Sequence, residues 1–124
     1  LNYIGNSAFE NCEKLEVSRL PDSLETIEGA AFAGCLAIEK IIFSDNALLK
    51  KIGAHSFRGC KKLKEVYLPD QVEYIGVSAF KYCSSLVSIS VPERTKDQPG
   101  IAELNEICPK VQIHFREVKE REKE

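Results

Sequence analysis

Ile75-Gly76-Val77-Ser78-Ala79-Phe80-Lys81-Tyr82-Cys83-Ser84-Ser85-Leu86-Val87-Ser88-Ile89-Ser90-Val91-Pro92 is the cleanest copy of a unit that the chain writes four times. Its opening isoleucine recurs as Ile4, Ile27, Ile52 and Ile75, at intervals of 23, 25 and 23 residues. Other apolar positions move with it. Phenylalanine follows as Phe9, Phe32, Phe57 and Phe80, and cysteine as Cys12, Cys35, Cys60 and Cys83. An aliphatic residue comes next, as Leu15, Ile38, Leu63 and Leu86, and another precedes the isoleucine, as Leu1, Leu24, Leu49 and Val72. Self-similarity at a fixed period in this range marks a solenoid, in which each turn buries its apolar side against its neighbours. Four turns exceed the roughly three needed for such a column to be stable.

Within one turn the chemistry of each segment is readable. Glycine follows the isoleucine as Gly5, Gly53 and Gly76, which predicts a tight bend with positive φ. Phenylalanine and cysteine three apart then fit one face of a short helical turn, too short to stand without packing. In Leu63-Lys64-Glu65-Val66-Tyr67-Leu68-Pro69, Val66 and Leu68 alternate with Glu65 and Tyr67, the period of a half-buried strand. The equivalent inward pairs are Ile41/Phe43 and Ile89/Val91, and proline ends the strand at Pro21, Pro69 and Pro92. Ser18 stands where an inward apolar residue is due, so the first strand is either bulged or faces a looser end of the column. Two extra residues near Phe43-Ser44-Asp45-Asn46-Ala47-Leu48 predict a surface loop.

The combined pattern Leu-x-x-Ile-x-Leu-Pro-x-x-Leu-x-x-Ile-Gly-x-x-Ala-Phe-x-x-Cys resembles the BspA-type leucine-rich repeats over residues 1–92. The resemblance implies an α/β fold: a right-handed leucine-rich-repeat solenoid, or horseshoe, with a parallel concave sheet and short helical turns. Many members are bacterial or protozoan proteins, secreted or on the cell surface, that bind other proteins, which implies that location and an adhesive role. The family shares no catalytic residues to carry over. Glu28 in place of glycine and Ser44 in place of proline depart from the pattern.

After Pro92 the repeat degenerates. Glu93 to Gly100 is polar and reads as a loop, Ile101 to Cys108 has helical spacing before Pro109, and Val111 to Phe115 alternates as a strand. The predicted organisation is a repeat domain over 1–115, with 93–115 as its capping turn and Ile101, Leu104 and Ile107 over the open end, followed by a charged tail over 116–124. Terminal repeats are atypical because one side must face water. The absence of methionine predicts a fragment or a processed piece of a longer product, its missing part holding more repeats or a cap.

Composition narrows the function. A net charge of -2 offers no basic excess for a phosphate backbone, and no apolar run approaches the ~18 residues of a membrane span. The cysteines recur once per turn rather than in close pairs, so a ladder of buried free thiols is expected in preference to disulfides or a metal site. His55 reads as a bend residue and His114 as an outward residue of the last strand. No cofactor loop or nucleophile constellation is present in the sequence.

What remains is surface. The outward strand positions stack into columns: Arg19, Ile42, Tyr67, Ser90; then Val17, Lys40, Glu65, Ser88; then Glu16, Glu39, Lys64, Val87. Lys40 with Glu65, and Glu39 with Lys64, are candidate cross-strand pairs. Arg19, Lys40, Ile42, Glu65 and Tyr67 form the candidate protein-binding site on the concave face, since Tyr and Arg are enriched at interface anchors. The expected function is a non-enzymatic protein–protein interaction module. The alternative is a structural spacer or stalk in a longer surface protein.

Overall fold

The computed structural model of the chain describes residues 2–118. Leu1, the first member of the aliphatic column, and 119–124 of the charged tail lie outside the described residues.

The chain winds into a parallel solenoid of about five turns. Two four-stranded parallel sheets run along it, one more than the sequence pattern predicts. The first consists of β1 (Tyr3–Ile4), β2 (Thr26–Ile27), β4 (Lys51–Ile52) and β6 (Tyr74–Ile75), in that order. The second consists of β3 (Lys40–Ile42), β5 (Glu65–Tyr67), β7 (Ser88–Pro92) and β8 (Gln112–Arg116). Every pairing joins equivalent positions, as in Ile4↔Ile27↔Ile52↔Ile75 and Ile41↔Val66↔Ile89↔Ile113. The strands of the first sheet are two residues long, too short for an alternating pattern to announce them.

Between the sheets, the stretch from glycine to cysteine divides its hydrogen bonds between two partners. In the first turn the Ser7, Phe9 and Asn11 N–H groups donate to the Gly29, Ala31 and Ala33 carbonyls of the next turn. The intervening Ala8, Glu10 and Cys12 N–H groups donate three residues back, to Gly5, Ser7 and Phe9. The expected short helical turns are therefore single closures threaded between inter-turn bonds. Alternation of this kind requires left-handed backbone twice per turn. It occurs at Ser7, Ala30, His55 and Ser78 (φ 56 to 61°), and again at Asn11, Gly34, Gly59 and Tyr82 (φ 61 to 77°).

The glycines after the isoleucine are not the positive-φ residues, contrary to expectation. Gly53 and Gly76 serve close approach instead: a Cβ on Gly53 would lie 2.7 Å from the Gly29 nitrogen, and one on Gly76 would collide with the Ala54 backbone, whereas one on Gly5 would meet only the Tyr3 ring, at 3.7 Å.

The core is the expected column. Phe9, Phe32, Phe57 and Phe80 stack with ring centroids 5.3, 5.3 and 5.7 Å apart. Beside them, the Cys35, Cys60 and Cys83 thiols each donate to the phenylalanine carbonyl of the preceding turn, at 3.1, 3.2 and 3.1 Å. All five cysteines are free, and four are buried. Cys12 departs from the expected ladder because it is exposed; no described turn covers it. Leu24, Leu49, Val72, Ile38, Leu63 and Leu86 complete the buried set.

Both ends are irregular. Ser18 is exposed, and the first turn joins the second sheet through one bridge, Arg19↔Ile42, rather than a strand. At the other end a 3-10 turn (Glu93–Thr95) leads into α1 (Pro99–Ala102) and α2 (Leu104–Ile107). The single helix expected from Ile101 to Cys108 is thus two short ones, broken at Glu103, whose carboxylate accepts the Ser78 N–H at 2.7 Å. Ile101 and Leu104 are buried and Ile107 is partly buried against the core.

Candidate functional site

The second sheet sets the five candidate residues in register. Lys40 pairs with Glu65, Ile42 with Tyr67, and Arg19 bridges Ile42. Alternation about Ile41 and Val66, which are buried, turns their neighbours outward: Arg19, Lys40 and Glu65 are exposed, while Ile42 and Tyr67 are half-buried. One strand further on, Ser88 and Ser90 continue the two columns, followed by Gln112 and His114. His114 and His55 are both exposed, as read from the sequence.

Register does not close the expected ion pairs. Among the described residues the pairs within 4.0 Å are Lys51–Glu28 at 3.6 Å and Arg116–Asp70 at 3.0 Å. Neither Lys40–Glu65 nor Glu39–Lys64 is among them. Exposed pairs of this kind gain only about 0.2–1 kcal/mol, too little to hold two long side chains together against their entropy.

Tyr67 is tied in from two sides. Its hydroxyl donates to Asp45 Oδ1 at 2.9 Å, and Asp45 belongs to the two-residue insertion loop. The Arg116 guanidinium lies over its ring, 4.2 Å from the centroid. Arg116 also donates to Ser90 Oγ at 2.7 Å, to Asp70 Oδ1 at 3.0 Å and to the Leu68 carbonyl, so one side chain binds three turns together. Burial and the bond to Asp45 push the Tyr67 hydroxyl up from its ordinary pKa, while Arg116 opposes them.

Sequence reading placed Arg116 at the start of a charged tail and missed this clamp. The signal was there: β8 runs to Arg116, and in a strand Arg116 shares the outward face with His114. A mixed-charge run hid it. Asp45 and Asp70 had no local signal, because the chain brings them to Tyr67 and Arg116 only by winding.

The remaining chemistry is quiet. Burial, above all, raises the Cys60 thiol to about 12 and pushes Cys35, Cys83 and Cys108 up as well, so the ladder is protonated at neutral pH. Thiolate is the nucleophilic and metal-binding form. Among the described residues no three His, Cys, Asp or Glu side chains converge as a metal site, and no helix is long and apolar enough to cross a membrane.

Comparison with known proteins agrees with this architecture. The family model for the BspA type leucine rich repeat region (6 copies) matches residues 1–99, and the chain belongs to that family. Solved structures of bacterial leucine-rich repeat proteins are similar. One from T. pallidum is 29% identical with a TM-score of 0.74, over 93% of this chain and 52% of its own. One from Bacteroides ovatus is 25% identical with a TM-score of 0.78, over 92% and 28%. A leucine rich cell surface protein from Faecalibacterium prausnitzii is 26% identical with a TM-score of 0.62, over 68% and 22%. The chain thus spans about half or less of the length of each. No curated protein matches it.

Proposed function

We propose that this chain is a non-enzymatic protein-interaction module. Its docking surface is the outward face of the second sheet, centred on Ile42 and Tyr67 with Arg19, Lys40 and Glu65 at the rim. One observation carries the reading: equivalent outward residues of adjacent turns lie in register on one sheet face, with an apolar pair at the centre. The tethering of Tyr67 by Asp45 and Arg116 supports it, because a pre-ordered aromatic loses less entropy on binding. Leucine-rich repeat proteins of this family are generally non-enzymatic. The spacer reading draws on a different fact: the matched structures belong to chains about two to three times as long, one of them a cell surface protein.

The test is a pull-down with the full-length protein, followed by calorimetry on the partner recovered. Ile42→Ser should weaken binding by about 2 kcal/mol, and Lys40→Ala should change mainly the salt dependence. Tyr67→Ala is a poorer probe because it also releases Arg116. If Ile42→Ser and Lys40→Ala both bind as the parent does, this face is not the docking surface.

A further inference from the structure

The stretch around the stacked phenylalanines carries a second surface, of different chemistry. Between Ala54 and Lys64 the chain has four cations and a histidine but no carboxylate. Winding places Arg58 and Lys81 at equivalent positions of adjacent turns, each directly after the stacked phenylalanine. Lys62 and Lys110 share another column with Ser85 between them, and Lys61 lies beside it. Arg58, Lys61, Lys62 and Lys110 are exposed and Lys81 is half-exposed. Among the described residues none of the five has a carboxylate within 4.0 Å.

An aromatic residue stands in the middle. Tyr82 is 54% exposed, with the Arg58 guanidinium 4.9 Å and the Lys81 ammonium 5.2 Å from its ring centroid. Its backbone is left-handed, φ 65°, at the position where the two preceding turns have Gly34 and Gly59. A bulky side chain is disfavoured in that conformation, so the fold displays this ring against its backbone preference.

We propose that this edge is a docking site for a short acidic peptide segment, whose carboxylates meet Arg58, Lys81 and Lys62 while its backbone or side chains lie on Tyr82. Charge and size select the occupant. The turns are stacked at about 4.8 Å, so the Lys62-to-Lys110 column spans about 10 Å, the length of three or four extended residues. Carboxylates lie beyond both ends of the Arg58–Lys81 column: Glu10 occupies the equivalent position two turns before Arg58, with Ala33 between, and Glu106 precedes Cys108 as Lys81 precedes Cys83. Surfaces that track single-stranded nucleic acid cover about 4–16 nucleotides, and a patch bounded by glutamates is short for that task. The site shares no residue with the strand face; Lys62 lines one cleft with Lys40 and Glu39, so Arg58, Lys81 and Tyr82 are the residues whose loss tests this site alone.

The experiment is fluorescence anisotropy on the 124-residue chain at low salt, with labelled hexaglutamate, hexaglutamine and oligothymidylate as probes. Hexaglutamate should bind saturably and be released as salt rises, whereas hexaglutamine should not bind. The Arg58→Gln/Lys81→Gln pair should weaken binding by about tenfold. Tyr82→Gly should weaken binding while raising the melting temperature, an outcome that a purely structural tyrosine would not give. Absence of saturable hexaglutamate binding, or affinity unchanged in the double variant or in Tyr82→Gly, would overturn the proposal. So would oligothymidylate binding as tightly as hexaglutamate, which would mark a general polyanion surface.

Discussion

Phe57 sits between two other rings and is fully buried, which makes it the residue on which the column most depends. Phe57→Ala should cost about 3–5 kcal/mol, because a rigid stack on both sides cannot collapse into the hole. Chemical denaturation would measure it, and a loss near zero would mean the ring is not a core element. The cysteines beside it couple stability to alkaline pH. The Cys60 pKa rises from 9.0 to about 12 in the fold, chiefly through burial. A raised folded pKa contributes stability that is complete below pH 9.0 and is lost as pH climbs towards about 12, because only the unfolded chain ionises its thiols there. The melting temperature should fall over that window, and Cys60→Ala should flatten the fall. Being exposed, Cys12 should react with a thiol reagent in the native protein, while the buried Cys35, Cys60 and Cys83 wait for unfolding.

At the scale of elements, short pieces are held by partners distant in sequence. The strands of the first sheet have two residues each, and no strand of that length persists alone. Their stability comes from register with the next turn and from glycines that let two backbones meet, as at Gly53 and Gly76. The second sheet gains a further tie from β8. Arg116 reaches past Ser90 to Leu68 and Asp70, and covers Tyr67 on the way. Arg116→Ala should cost about 1–2 kcal/mol, less than fully buried charge-assisted bonds would, because Asp70 is 44% exposed. It should also bring the Tyr67 hydroxyl pKa higher, since the guanidinium is what lowers it. A thermal melt and an absorbance titration of tyrosine would check both, with unchanged values showing that the clamp is not formed in solution.

At the scale of the molecule, the solenoid is a column with two unlike ends. The C-terminal end is closed by α1 and α2, whose Ile101 and Leu104 cover the last full turn, and by β8 along β7. Gly100 allows that closure: a Cβ there would collide with the Gly76 carbonyl and the Ile75 side chain. Deleting residues 100–124 should uncover Phe80, Leu86 and Ile89 and leave β7 as an open edge, so the truncated chain should aggregate. Light scattering and gel filtration would detect it. A soluble truncated chain with unchanged melting temperature would mean that the last turn is not a cap.

Periodicity in the sequence determined the winding, the phenylalanine stack and the parallel strand register from Lys40 to Ser90. Each depends on residues that recur at one interval, and a repeating core admits only one stacking of identical positions. The same logic placed Arg19, Lys40, Ile42, Glu65 and Tyr67 on one face. Only the tertiary structure decided the backbone conformation inside each turn and the contacts of residues that do not recur. Left-handed backbone falls at Ser7, Ala30, His55 and Ser78 and not on the glycines after the isoleucine, because glycines that relieve close approach, as Gly53 and Gly76 do, look in sequence like ones that relieve φ. The first sheet was invisible because two residues carry no period. The strand period marks Tyr67 only as an outward residue of the candidate site, whereas Asp45 and Arg116 hold it from 22 and 49 positions away. Contacts between unique residues on different turns leave no pattern along the chain, since winding alone sets their distance.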